Sequence, residues 1–100
     1  MDLNKMLGQM QSMQKSLEQE QQALNNKVYT VSSNEKLVTI EMTGDRRIKD
    51  LQIDESILNP EDKEMIQDLI INTMDQALRM IDQDFASTMS KYTNGLNLPF

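Results

Sequence analysis

The side chains that could do chemistry are few, and the most concentrated of them are basic. Arg46, Arg47 and Lys49 lie together just after Gly44, in a stretch with turn character. Cations on a protruding turn suit contact with phosphate, and Lys5, Lys15 and Lys27, on or beside the preceding segment, could extend the track. The ordinary alternative is a solvated hairpin end that pairs locally with Asp45 and Asp50. No face rich in Arg, Asn or Gln marks a base-reading helix, so recognition of particular bases is not supported.

Other chemistry is largely excluded. The chain has no Cys and no His, which removes thiolate nucleophiles, zinc-thiolate sites and the commonest general base. Asp54, Glu55, Glu61, Asp62 and Glu64 lack the spacing and glycine of a calcium loop, and read as helix-start and solvated acids. Asp75, Asp82 and Asp84 read as a solvated helix face, and Tyr29 and Tyr92 as half-buried packing. Gly8, Gly44 and Gly95 are isolated, so no glycine-rich phosphate loop exists. No enzyme, metal or cofactor is expected.

The net charge of −6 is unevenly placed. Residues 1–53 balance, and the excess lies in 54–100, where nine acids face three bases. That acidity repels DNA at long range, and it motivates a second reading: a protein-interaction adaptor using the acidic long helix and a Met-rich seam. At 100 residues, with 38% hydrophobic and 26% charged, the chain is one domain's worth of sequence. No apolar run suits a membrane span, no segment resembles a signal peptide, and nothing requires an oxidising compartment. A cytoplasmic protein with no membrane partner and no small-molecule substrate is expected.

The elements that must position these residues follow from periodicity. Leu3, Met6, Met10, Met13, Leu17 and Leu24 recur in steps of three and four, a helical seam that ends at Asn25-Asn26. Val28–Ser32, Leu37–Met42 and Ile48–Ile53 read as strands, the last placing Lys49, Leu51 and Ile53 on one face. Turns at 33–36 and 43–46 make a three-stranded antiparallel meander, with Gly44 able to supply a positive φ. Asn59-Pro60-Glu61-Asp62 is a helix start, with Asn59 as cap, and no breaker follows until Gly95, so a helix is predicted over 60–91. Its seam is Ile71, Met74, Leu78, Ile81, Phe85 and Tyr92, broadened by Ile66, Leu69, Ile70 and Ala77. Such a helix is about 48 Å long, against a globule of about 34 Å, so it protrudes. Exposed seams of this extent imply an obligate homodimer with Met10, Met13, Leu17, Ile71, Met74, Leu78, Ile81 and Phe85 at the interface. Methionine specifies geometry poorly, so parallel and antiparallel packing both stay open.

With this order of elements, the sequence resembles the YbaB/EbfC family of bacterial nucleoid-associated proteins. The likeness is carried by Met6–Lys15, Val38–Gly44, Leu51–Asp54 and above all Leu58–Glu64, Gln67–Leu69 and Asp75–Leu78, together with the ending Gly95–Phe100. It implies one domain over 1–100: an N-terminal helix (1–26), a β-meander (28–53), a long helix (60–91) and a tail (92–100), paired as an intertwined or tweezer-like homodimer. It also implies a nucleoid-located protein that binds double-stranded DNA without catalysis or cofactor and influences nucleoid organisation and gene expression. Carried onto this chain, the DNA-binding residues are Arg46, Arg47 and Lys49, with Lys5 and Lys15. The chain departs from many relatives in a first hairpin without glycine, Ser32–Lys36, and in its low basic content.

Overall fold

The computed structural model describes residues 2–95, with side chains to 92. The ending Gly95–Phe100 and most of the tail therefore lie outside the described side chains. Helix α1 spans Leu3–Asn26. Strands β1 (Val28–Ser32), β2 (Val38–Thr43) and β3 (Ile48–Ile53) form an antiparallel sheet in that order. A 3₁₀ turn at Pro60–Asp62 leads into α2, Lys63–Gly95. The helix thus begins one turn later than predicted and runs four residues further. Asp2 caps α1, accepting from the Asn4 amide at 3.1 Å.

The alternating residues of β1 and β2 bury one face: Tyr29, Val31, Val38, Ile40 and Met42, none more than 4% exposed. Against it α2 turns Thr73, Ala77 and Ile81, which recur at four-residue steps. Thr73 satisfies its buried hydroxyl by donating to the Leu69 carbonyl oxygen at 2.6 Å. Small Ala77 and compact Thr73 let the helix lie close to the sheet. The predicted seam is therefore divided: Ile81 is wholly enclosed within its own chain, while Ile71 is 62% exposed.

Strand β3 departs from simple alternation. Glu41 lies opposite Asp50 but Met42 lies opposite Ile48, so the ladder skips Lys49. This bulge gives Ile48 the place beside Met42 that strict alternation assigns to Lys49. Ile48, Leu51 and Ile53 then share the core-side face, but Ile48 and Leu51 remain 51% and 43% exposed. Helix α2 packs over β1 and β2 and leaves this edge uncovered.

The hairpin without glycine turns through Glu35 and Lys36 at φ 59° and 55°, left-handed conformations that ordinary residues adopt at a cost of about 1 kcal/mol or more. In the second hairpin Arg46 takes the positive φ, 65°, and no described glycine does. Gly44 serves a different purpose. A Cβ there would sit 1.7 Å from the Leu24 carbonyl oxygen, so glycine is what lets the turn close on the end of α1.

No α1 residue is buried. Met13, Leu17, Gln21 and Leu24 are half-buried on the side facing the far end of α2, where the Gln21 amide donates to Met89 sulfur at 3.9 Å. The molecule measures 71 × 25 × 16 Å with a radius of gyration of 19.8 Å. A compact chain of this length has a radius near 13 Å, so the helices do protrude.

Candidate nucleic-acid interface

The basic turn is fixed to α1 from behind. The Gly44 amide donates to the Lys27 carbonyl oxygen at 3.0 Å and the Asp45 amide to that of Asn25 at 3.2 Å. Within the turn, the Arg46 amide donates to the Thr43 oxygen at 2.9 Å and the Thr43 amide to the Arg47 oxygen at 2.8 Å. The Thr43 hydroxyl bonds the Asp45 carboxylate, whose other oxygen stands 3.5 Å from Arg47 Nε. Backbone and side chain together fix the turn at one end of the sheet, and Arg46, Arg47 and Lys49 are all exposed there.

These three cations are not equivalent. Arg46 forms an ion pair with Asp82 of α2. Arg47 leans on Asp45 with its side chain 85% exposed. Lys49, released by the bulge, is exposed and has no ion-pair partner among the described residues. Lys5 and Lys15 are exposed too, but α1 carries them about 30 Å and 15 Å up the helix from Asn25. The structure keeps Arg46, Arg47 and Lys49 on one hairpin whose turn is tied to the Lys27 backbone, and leaves Lys5 and Lys15 apart along a rod.

Lys27 lies 2.7 Å from Asp84 and 4.9 Å from the centre of the Tyr29 ring. The Tyr29 hydroxyl donates to the same Asp84 oxygen at 2.7 Å. The Lys27 bond, then the Tyr29 bond, hold the Asp84 carboxyl below the usual 3.8. Burial, reinforced by Asp84, pushes the Tyr29 phenol from 10.0 to about 12. Because folding raises this pKa, the phenol's contribution is whole below pH 10 and is lost as pH climbs through 12. The melting temperature is expected to fall across that window in the wild type and less so in Tyr29→Phe. Parallel decline of the two would remove Tyr29 as the cause. At neutral pH the variant should lose about 1 kcal/mol for the missing bond.

The expected solvated acids thus have partners: Asp82 with Arg46, Asp84 with Lys27 and Tyr29, and Asp75 with Arg79 at 2.9 Å. Asp54 accepts from the Ser56 amide at 2.9 Å, and Asp62 from the Asn59 side chain at 3.2 Å. Asn59 occupies the cap position, yet its side chain acts as a donor and makes no cap bond to the backbone. No group of three potential metal ligands exists among the described residues.

Of the residues assigned to a dimer seam, Ile81 is enclosed, and Met74, Leu78 and Phe85 are half-buried against the core. Met10, Met13 and Leu17, with Gln14 and Tyr92, line a nearly apolar groove of about 290 Å³ between the helices. Periodicity placed Leu51 on the apolar face but gave the next position to Lys49, because the bulge that turns Ile48 inward leaves no mark on the alternation.

Comparison with known proteins adds identity to this geometry. Residues 1–96 match the model described as the YbaB/EbfC DNA-binding family. A nucleoid-associated protein of Enterococcus faecalis is 43% identical over 91 residues, covering 91% of this chain and 88% of its own. Another from Ruminiclostridium cellulolyticum is 41% identical, over 95% and 83% of the two chains. One from Rickettsia canadensis is 39% identical, over 98% and 92%. An uncharacterized protein from Helicobacter pylori shares the fold, with a TM-score of 0.75 at 24% identity over 92% of this chain and 97% of its own.

Proposed function

The chain belongs to the YbaB/EbfC DNA-binding family, and from that premise we propose that it is a nucleoid-associated homodimer that grips double-stranded DNA through phosphates. The family match over residues 1–96 carries the reading. Arg46, Arg47 and Lys49 are the principal contacts, with Lys5 and Lys15 as outlying ones. Sequence preference is weak, because the basic residues sit on a turn and along a rod rather than on a helix face shaped for the major groove. The protein works in the cytoplasm at the nucleoid, where it influences DNA organisation and gene expression, and it needs no cofactor.

Dimerisation is supported by apolar surface that one chain leaves open. Leu3, Leu7 and Met10 on α1 are 70%, 55% and 65% exposed, and the β3 edge adds Ile48 and Leu51. Surface of this kind marks association in soluble proteins. A two-fold partner presents the basic turn twice, which is what a backbone clamp requires. The acidic helix gives the adaptor reading little support, since Asp75, Asp82 and Asp84 are engaged within the chain.

An anisotropy titration against duplex DNA across salt tests the function. Neutralising four to six phosphates predicts that log affinity falls with log salt at a slope of about −4 to −5. Arg46→Ala with Arg47→Ala should weaken binding and flatten that slope by about 2 for each protomer that contacts DNA. Absence of binding at low salt would remove the function, and an unchanged slope in the double variant would remove this site.

A further inference from the structure

Asp82 and Asp84 stand on opposite flanks of the buried Ile81, about 100° to one side and about 60° to the other. Each meets a cation from the sheet end of the molecule, but the two pairs differ in kind. Asp84 is half-buried and accepts from both Lys27 and Tyr29, whose hydroxyl has no other partner among the described residues, so this pair is part of the packing of α2 on β1. Asp82 meets Arg46 alone, and the two side chains are 62% and 54% exposed. An exposed pair of that sort adds little stability and exchanges readily. A phosphate oxygen offers a guanidinium the same charge and acceptor geometry as a carboxylate.

We propose that Asp82 is an internal occupant of the Arg46 phosphate site, one that DNA must displace before Arg46 can bind. The inference rests on the DNA-binding reading and adds to it a residue that subtracts from affinity. In the free protein Asp82 holds the guanidinium toward α2. On binding, the phosphate takes its place, and the freed carboxylate recruits a cation from solution. That uptake offsets one of the counterions DNA releases, so Asp82 should also make the salt dependence shallower. Arg47 and Lys49 have no such competitor on α2 among the described residues, so Asp82 acts on one contact of the three.

The test is Asp82→Asn in the full chain, measured by anisotropy with a short duplex over a range of salt. Asparagine keeps the size of the side chain and, at an exposed position, leaves the fold intact, which a thermal melt verifies. At low salt, Asp82→Asn should bind about three- to tenfold more tightly than wild type, with a slope steeper by up to about 1 for each Asp82 removed, because no cation is then taken up on binding. The gain should vanish in the Arg46→Ala background. Asp75→Asn removes the same charge from the same helix, at a residue paired with Arg79, and should give a clearly smaller gain.

An equal gain from Asp75→Asn, or a gain that survives Arg46→Ala, would show that bulk charge is responsible and overturn the inference. Binding by wild type with no gain in Asp82→Asn would overturn it while leaving the DNA-binding reading intact. If no variant binds DNA, both fall. Binding by Asp82→Asn where wild type binds too weakly to measure would support both.

Discussion

Gly44→Ala is expected to lower the melting temperature by at least about 12 °C. The added Cβ would lie 1.7 Å from the Leu24 carbonyl oxygen, 2.6 Å from its carbon and 3.2 Å from Asn25 Cα. All three are backbone atoms at the end of a helix, so no side chain can swing aside. Relief requires α1 to retreat, which stretches the Gly44 and Asp45 amide bonds to Lys27 and Asn25 that dock the turn. A forced backbone shift with loss of the docking bonds costs about 3 kcal/mol or more, a large share of the about 5–15 kcal/mol that holds a domain folded. The same change at Gly8, where nothing lies within 4 Å of a new Cβ, should instead stabilise α1 by up to about 1 kcal/mol. A Gly44→Ala melt within a few degrees of wild type would mean that the turn does not close on α1 as described.

The second large effect concerns apolar surface that one chain leaves bare, on the outer side of α2 and at the β3 edge. Ile71 and Leu51 are 62% and 43% exposed, so Ile71→Glu and Leu51→Lys should leave the protomer folded. If two chains bury either residue, a charge there must be desolvated, and two-fold symmetry counts it twice. At about 2 kcal/mol for each copy, the dimer dissociation constant should rise by about a thousandfold. Sedimentation velocity at micromolar concentration would then show a wild-type dimer and monomeric variants with unchanged circular dichroism. DNA binding should weaken with them, since each monomer carries one basic turn. A wild type that sediments as a monomer would sink the paired clamp, and a dimer indifferent to both changes would move its interface elsewhere, toward α1.

How far these features could be read in advance depended on whether their cause was local. The bounds of the strands at Val28–Ser32 and Ile48–Ile53 and the α1 seam follow from β-forming residues between turns and from three-four steps, which nearby residues determine. The long helix was legible because nothing breaks it, and its protrusion followed from length alone. What stayed hidden was set by partners distant in sequence. A stripe as wide as that of α2 offers several faces to a sheet, and the face chosen, Thr73-Ala77-Ile81, is the one whose small residues permit close approach. Asp82 and Asp84 have the composition of a solvated face; only the fold places them against Arg46 and Lys27. The left-handed backbone fell on Arg46 rather than Gly44, whose need for glycine comes instead from its approach to Leu24, a partner distant in sequence. The basic cluster itself was visible as a run of residues, but not that one of its members is occupied.

The molecule's 71 × 25 × 16 Å outline has a practical consequence for anyone weighing it in solution. A rod drags more solvent than a sphere of equal mass, so its frictional ratio is high and it leaves a sizing column early. A solitary chain would elute where a globular protein of considerably greater mass is expected, and would pass for a pair. Scattered-light intensity, which reports mass without regard to outline, separates the two where elution volume does not.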